Sequence, residues 1–204
     1  MKKIFHITDH LPDYHPIWGG AEKVAYRQIN LSSGLENFKI FVGATKPYKK
    51  IQENFKFFRI WSVEDFFPKK LHFLVTGVKN HILPFDIISF FQLLFLFLKI
   101  RPEIIHLHKA NKISFTPIFV GWILRIPVVL AIYDYWYFCP GGMLINKERS
   151  LCRKFHGSWC KDCTAVTDFR ILLPVIGPIR RKLFNYFLNK LTLLPCCQNP
   201  WKYF

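Results

Sequence analysis

Two histidines stand two residues apart in residues 104–108, which have the sequence IIHLH. If this segment is a β-strand, His106 and His108 point to the same face, because side chains alternate along a strand. Lys109 and Asn111 follow directly, so polar groups gather where the strand would end. Each histidine taken alone is more commonly a packed side chain than a ligand. Only the polar residues next to the pair indicate a binding site.

A second candidate for chemistry is the pair Gly19 and Gly20, which follows a loop over residues 9–18 that is rich in Pro, His and Asp. Two residues without a Cβ let a ligand approach the backbone, and the first N–H groups of a helix favour an anion. A glycine pair before a helix is also an ordinary turn, and both interpretations stay open. A third polar cluster, Tyr133 with Asp134 and the two aromatic residues that follow, comes after another apolar run.

Strand-like and helix-like segments alternate along the chain and would position these clusters. The strand-like segments are continuous apolar runs, which is typical of a parallel sheet covered on both faces. Predicted strands cover residues 3–8, 38–44, 55–61, 104–108 and 127–133, and predicted helices cover 20–35, 86–100, 114–124 and 179–191, with Asp86 as an N-cap. Residues 62–85 receive no assignment. The sequence thus predicts an α/β, doubly wound, Rossmann-like domain with all three clusters at the carboxyl edge of its sheet, where such folds bind ligands.

The charge of the chain favours an anionic partner. The formal net charge is +16 and the sequence pI is about 9.7, which suits phosphorylated molecules or an anionic membrane surface. Lys and Arg are scattered without zinc-finger spacing, basic heptads or an RNA-recognition signature, so we predict no nucleic-acid partner. The most apolar run, residues 87–98, is shorter than the roughly 20 residues of a membrane span. We expect a cytoplasmic protein, peripheral on the inner face of the cell membrane.

Three motifs occur in a recognisable order. They are GGAE at residues 19–22, PEIIHLH at 102–108, and a stretch from 126 to 140 that contains IPVV, DYW and CP. This ordered set resembles the N-terminal, acceptor-side half of the family 4 glycosyltransferases, and the likeness covers roughly residues 1–190. The resemblance implies a two-domain GT-B architecture in which this domain, residues 1–191, holds the acceptor. The family's donor-binding second domain, with its Glu-x7-Glu motif, is absent from the sequence.

The resemblance also implies an activity and roles for particular residues. Such enzymes transfer a hexosyl group from a nucleotide-sugar to a glycan or lipid-linked acceptor, usually with retention and without a metal, as in cell-envelope polysaccharide synthesis. Tyr133 takes the place of a frequent family histidine, and a tyrosine lacks that group's charge switch near neutral pH. The implied donor-phosphate residues are Gly19, Gly20 and Glu22, and the implied catalytic or acceptor-contacting residues are His108, Tyr133 and Asp134. We expect this half to be inactive alone; the alternative is a non-catalytic acceptor-binding module that pairs with a separate donor-domain chain.

Four cysteines fall within one glycine-bearing loop, residues 139–163. Two of them form a C-x2-C pair, and four thiols could hold a structural zinc ion. The spacing of the other two is loose, and free thiols or disulfides remain alternatives; a cytoplasmic location counts against disulfides. The candidate metal ligands are Cys139, Cys152, Cys160 and Cys163.

The last residues, 192–204, fit neither a helix nor a strand and contain adjacent cysteines, two prolines and a tryptophan. Read from the third base of the Pro195 codon, their codons permit the peptide LLSESMEIF, and family 4 enzymes commonly have a strand that ends in Ser-Glu here. We therefore predict that this tail is the product of a frameshift that removed the donor domain. The alternative is an ordinary, unstructured C-terminus.

Overall fold

The computed structural model describes residues 1–79, 84–137, 139, 142–146, 148–153, 160 and 173–188. The predicted frameshift tail and Cys163 lie outside these residues. The chain forms two compact units: the first comprises residues 1–67 and 85–133, and the second comprises residues 68–84 and 134–204.

The first unit contains a five-stranded sheet in the order β3-β2-β1-β4-β5, and every neighbouring pair is parallel. This order, with β1 at the centre, matches the first five strands of the classic Rossmann-type order 3-2-1-4-5-6. The strands are β1 (Lys2–Thr8), β2 (Phe38–Ala44), β3 (Lys56–Arg59), β4 (Ile104–Lys109) and β5 (Val128–Leu130). The α/β, Rossmann-like class predicted from the sequence is therefore confirmed.

Helices cover both faces of this sheet, which explains why its strands are apolar throughout. On one face, Ile29 of a helix packs with Ile40 and Val42 of β2 in a buried cluster. On the other face, the Phe5 ring of β1 contacts Phe97 of a second helix, with ring centroids 5.1 Å apart. The helices of the first unit are α1 (Gly20–Ser33), α3 (Ile87–Ile100) and α4 (Thr116–Ile123), and those of the second are α2 (Lys69–Gly77) and α5 (Leu173–Leu188).

Helix α4 lies against the sheet at very close range through Gly121. A Cβ built on this residue would stand 2.4 Å from Cγ2 of Val128 and 3.1 Å from Cδ1 of Ile105. Real Cβ atoms do not come so close to a carbon atom, so the absence of a side chain allows the approach. This contact positions β4, the strand that carries His106 and His108.

The second unit is organised around a buried cation. Arg180 of α5 has no exposed surface, stacks 3.7 Å from the Phe184 ring centroid and donates a hydrogen bond of 2.8 Å to the carbonyl of Trp136. Burial lowers the pKa of Arg180 to about 9, although Cys139 and Cys160 act against this shift. Among the described residues, no helix combines the length and the apolar character needed to cross a membrane.

Most of the predicted elements are present, with altered ends. The helix predicted over 86–100 begins at Ile87, and the Asp86 side chain caps it by accepting from Ser89 N. The strand predicted over 127–133 is wrong in length, because only Val128–Leu130 pairs with β4. The helix predicted over 179–191 begins earlier, at Leu173, with Pro178 inside it. Helix α2 lies in the segment left without an assignment.

Candidate functional site

Asp9 joins three loops at the carboxyl edge of the sheet. Its side chain, in the loop after β1, accepts hydrogen bonds from the backbone N–H groups of Asn111 (3.0 Å) and Lys112 (3.2 Å), which follow β4. Its backbone carbonyl accepts from the hydroxyl of Thr45, which follows β2, at 2.6 Å. Burial raises the pKa of Asp9 to about 7, against the lowering effects of the Lys112 N–H, the Lys109 charge and the Asn111 N–H. The edge is therefore held by one buried carboxyl group.

Three histidines form a cluster beneath α1, on the face of the sheet that this helix covers. His6 of β1 stands in register with His106 of β4, and His108 lies two residues further along β4 on the same face. Their ring centroids are 5.1 Å (His6 and His106), 4.1 Å (His106 and His108) and 5.2 Å (His6 and His108) apart. Each ring offers one nitrogen such that all three nitrogens lie within 4.8 Å of one another. His6 and His108 are buried, and His106 is half-buried.

The hydrogen bonds around His108 fix where the protons lie. Tyr133 Oη donates to the carbonyl oxygen of the Gln28 side chain at 3.2 Å. A tyrosine has one hydroxyl proton, so at 3.0 Å Tyr133 Oη must accept from His108 Nδ1–H. His108 Nε2 then carries a lone pair, and it accepts from His6 Nδ1–H at 2.8 Å. His6 Nε2 is left with a lone pair, is buried, and has no hydrogen-bond partner among the described residues.

The electrostatics of the cluster keep these rings neutral. Burial lowers the pKa of His6 to about 3, with a further contribution from His106. Burial also lowers the pKa of His106, and burial followed by repulsion from His106 and His6 lowers that of His108 far below its ordinary value. Near neutral pH the cluster therefore offers imidazole lone pairs and no positive charge.

The glycine pair predicted to bind donor phosphate lies at the start of α1. A Cβ on Gly20 would meet no atom within 4 Å, so space is open beside the helix N-terminus. The carboxylate of Glu22 accepts from Gly19 N–H at 2.9 Å and pairs with Lys109 Nζ at 2.9 Å. Burial alone would raise the pKa of Glu22, but the hydrogen bonds from Lys109 and the backbone outweigh burial and lower it. Glu22 thus caps its own helix and joins it to β4.

A groove of about 590 Å³ runs between α1 and the loop that precedes it. Lys23 Nζ lies 4.7 Å from the centroid of the Trp18 ring at its margin. Aromatic and basic side chains make up half of the lining, which comprises Pro12, Asp13, Trp18, Lys23, Tyr26, Arg27, Asn30 and Leu31.

The predicted site residues are thus only partly brought together. His108 and Tyr133 contact one another, and both roles predicted for them stay predictions. Asp134 belongs to the second unit, where its carboxylate accepts from Trp136 N at 3.0 Å. Sequence reasoning missed His6, Gln28 and Asp9. The sequence contained one sign for His6: it lies within the predicted first strand, and alternation along a strand fixes the face to which its side chain points.

Of the described cysteines, Cys139 and Cys152 carry free thiols, and Cys139 and Cys160 are buried. Within the described part of the chain, these cysteines do not form a group that brings three metal-ligating atoms together, whereas the three histidines do. The fourth thiol, Cys163, lies outside the described residues, so the four-thiol zinc site stays a prediction.

The fold and this edge site define a Rossmann-like α/β domain with its polar groups at the carboxyl ends of the strands. No protein-family model and no curated protein matches the chain. Among solved structures, the UDP-GlcNAc 2-epimerase from Methanocaldococcus jannaschii is similar, with 12% identity and a TM-score of 0.32. The likeness covers 94% of this chain and 45% of that chain, so this chain spans less than half of that protein's length.

Proposed function

We propose that this chain is the acceptor-side half of a sugar-transferring enzyme of the family 4 glycosyltransferase type. In this proposal it holds a glycan or lipid-linked acceptor of cell-envelope polysaccharide synthesis, while a second domain or chain binds the nucleotide-sugar. The observation that carries the proposal is the groove between α1 and the loop that precedes it. The ordered GGAE, PEIIHLH and DYW motifs of the sequence agree with it.

The chemistry of the groove suits a phosphorylated glycan. Trp18 and Tyr26 offer flat apolar faces on which a sugar ring can stack, with polar edges that can hydrogen-bond its hydroxyl groups. Lys23 and Arg27 are exposed and add positive charge next to these rings. A groove that combines aromatic faces with a few polar or charged groups is the common form of a small-ligand site. Arg27 can also engage a phosphate through two parallel hydrogen bonds.

Titration calorimetry with a short-chain prenyl diphosphate disaccharide tests this assignment on the 204-residue chain itself. We expect Trp18→Ala and Arg27→Gln each to weaken binding by roughly tenfold, because each removes one stacking or charged contact. Lys39→Gln, which removes an exposed charge on β2 outside the groove, is the matched control and should bind as the parent chain does. Equal binding by all four proteins, or none by the parent chain, would contradict the acceptor assignment.

A transferase assay distinguishes half of an enzyme from a separate, non-catalytic binding module. We expect the 204-residue chain alone to transfer no sugar from UDP- or GDP-sugars to the same acceptor, because the proposal assigns donor binding to a second domain or chain. If reading the gene downstream in all frames reveals a Glu-x7-Glu domain, the restored protein should be active. If a separate chain carries that domain, mixing the two chains should restore transfer, which is the alternative of a paired acceptor module.

We further propose that the first unit binds an anionic membrane surface through α3. Four apolar side chains, spaced three or four residues apart, form an exposed stripe on this helix: Ile87 (47%), Phe91 (61%), Phe95 (65%) and Leu98 (56%). Lys99 lies beside them, with Nζ 5.9 Å from the centroid of the Phe95 ring. An exposed apolar stripe on a chain with a net charge of +16 has the combination that anionic interfaces bind.

Vesicle co-sedimentation tests the membrane proposal. The chain should bind vesicles that contain phosphatidylglycerol and bind phosphatidylcholine vesicles weakly. The double variant Phe91→Ser/Phe95→Ser should lose roughly tenfold or more in binding, since it removes two exposed rings that would insert into the membrane interface. Val24→Ser/Leu35→Ser replaces two exposed apolar residues, one on α1 and one just after it and both outside the groove lining, and should bind normally. A stripe variant that binds like the parent, or a stripe that instead mediates self-association, would refute this assignment.

A further inference from the structure

We propose that His6, His106 and His108 form a binding site for one transition-metal ion of the zinc class. The two adjacent strands β1 and β4 present the three imidazoles on one face of the sheet, as the register of His6 with His106 requires. This site is distinct from the predicted cysteine site and goes beyond sugar-acceptor binding. The proposal concerns the binding of the ion and does not depend on a role in sugar transfer.

The spacing of the three ligand atoms is close to what such an ion needs. Zinc binds imidazole nitrogen at about 2.0–2.1 Å, so tetrahedral ligands stand about 3.3 Å from one another. His6 Nδ1 and His108 Nε2 are 2.8 Å apart, and the three rings offer one nitrogen each within 4.8 Å of one another. To reach that spacing, the 2.8 Å pair would separate by about 0.5 Å and the widest pair would close by up to about 1.5 Å. A fourth position then remains for a water molecule or an anion, as in three-histidine zinc sites.

A supporting shell already holds one ligand in the orientation and tautomer that ligation requires. His108 donates its Nδ1–H to Tyr133 Oη, which leaves Nε2 as the lone-pair atom. Tyr133 is in turn held by Gln28 of α1. Metal-bound histidines nearly always donate their second N–H to such an outer partner.

Metal binding requires one proton of the cluster to move. In the metal-free arrangement His6 Nδ1–H donates to His108 Nε2, and the buried His6 Nε2 carries a lone pair that can take up that proton. When a metal takes the place of the proton between Nδ1 and Nε2 of the two rings, the His6 proton moves to Nε2. His6 Nδ1 and His108 Nε2 then both direct lone pairs at the ion.

Cobalt(II) spectroscopy and metal counting on the full chain test this site without any sugar. The chain is stripped with chelator, dialysed against cobalt(II) or zinc(II), and counted by plasma mass spectrometry. We expect one equivalent of either metal. The cobalt spectrum should show ligand-field bands of a nitrogen and oxygen site without the thiolate charge-transfer band that cysteine ligation produces, and added zinc should abolish it.

Variants assign the metal to these residues. His106→Gln, at the half-buried position, and His108→Gln should each weaken cobalt binding at least a hundredfold. Tyr133→Phe keeps every ligand and the ring but removes the outer acceptor, and should weaken it by about 10- to 100-fold. His72→Gln on α2 and Cys152→Ser are matched controls that should leave both stoichiometry and spectrum unchanged. Circular dichroism checks that each variant is folded.

Several results would overturn the proposal. One is a parent chain that binds no metal, and another is cobalt binding that survives both histidine variants. A third is a thiolate band that disappears in Cys152→Ser, which would place the ion at the cysteines. If His108→Gln, at the buried position, fails to fold, the cobalt affinities of Tyr133→Phe and His106→Gln still show whether the histidines bind the metal. An unchanged affinity in both of these folded variants would exclude the histidine site.

Discussion

Replacing Asp86 by alanine should lower the free energy of unfolding by about 3–5 kcal/mol, because several buried donors lose their acceptor at once. The side chain of Asp86 is fully buried. Its oxygens accept from Ser89 N at 3.0 Å, Val63 N at 3.0 Å and the Ser62 hydroxyl at 2.7 Å. Its backbone N–H donates to the hydroxyl of Thr116 at 2.8 Å. One residue thus connects the start of α3, the start of α4 and the turn after β3.

The loss is best measured by urea unfolding, with the helical signal followed by circular dichroism. Since domains of this size are stable by about 5–15 kcal/mol, Asp86→Ala should be partly unfolded well before the parent chain. Asp86→Asn keeps one acceptor oxygen and should lose roughly half as much. Asp65→Asn is the matched control, because its carboxylate accepts from Ser62 N in a partly buried position, and should cost about 1 kcal/mol or less. A loss below about 1 kcal/mol in Asp86→Ala would show that water replaces these bonds.

The local rules that predicted this cap also predicted most of the fold. Asp86 stands directly before an apolar run, and Arg101 and Pro102 follow that run. Both ends of α3 are therefore marked in the sequence. Helix α2 carries no such marks: Pro68 precedes it, no side chain caps it, and its nine residues are too few for a clear period. The edge strand β5 was overestimated because apolar residues continue beyond the three that find a partner strand. Which residues find a partner strand depends on the whole sheet and cannot be seen in the segment itself.

The histidine cluster shows the same limit more sharply. Alternation along β4 predicts that His106 and His108 share a face, and this prediction needs only two neighbouring positions. The third member, His6, comes from a strand about a hundred residues away, and its register with His106 is set by the packing of the whole sheet. No local pattern encodes that register, since a shift of one residue would turn His6 to the other face. Gln28 enters the relay only because α1 crosses above the same two strands.

Asp9 should make the stability of the chain depend on pH in an unusual direction. An exposed carboxyl group paired with cations commonly stabilises a fold as the pH rises, because its pKa is depressed. Here burial raises the pKa of Asp9 from 3.8 to about 7. The protonated form is therefore favoured in the folded state relative to the unfolded state. The stabilisation from Asp9 is fully present below its unfolded pKa and is lost as the pH rises through its folded pKa.

The size of this effect follows from the interval between the two pKa values. About three pH units at roughly 1.4 kcal/mol per unit give a loss on the order of 4 kcal/mol between about pH 4 and pH 7. Other groups titrate in the same range, so the quantity to measure is the difference in unfolding free energy between the parent chain and Asp9→Asn. The parent should lose stability relative to this variant as the pH rises, because the amide acquires no charge. The single amide oxygen can accept from only one of the Asn111 and Lys112 N–H groups, which donate to different oxygens of Asp9, so the variant also loses stability by an amount that does not depend on pH.

Asp13→Asn, which removes an exposed carboxylate from the same loop, is the matched control for the loss of one negative charge. A difference between the parent and Asp9→Asn that stays constant from pH 4 to pH 7 would mean that Asp9 titrates alike in the folded and unfolded chain. If the parent instead gains stability relative to Asp9→Asn as the pH rises, the hydrogen bonds to Asp9 and the charge of Lys109 lower its pKa by more than burial raises it. The expected sign instead identifies Asp9 as a buried group whose ionisation loosens the joint between the loops after β1, β2 and β4. Those loops form the edge at which we place ligand binding, so acceptor affinity should weaken over the same pH range as this stability is lost.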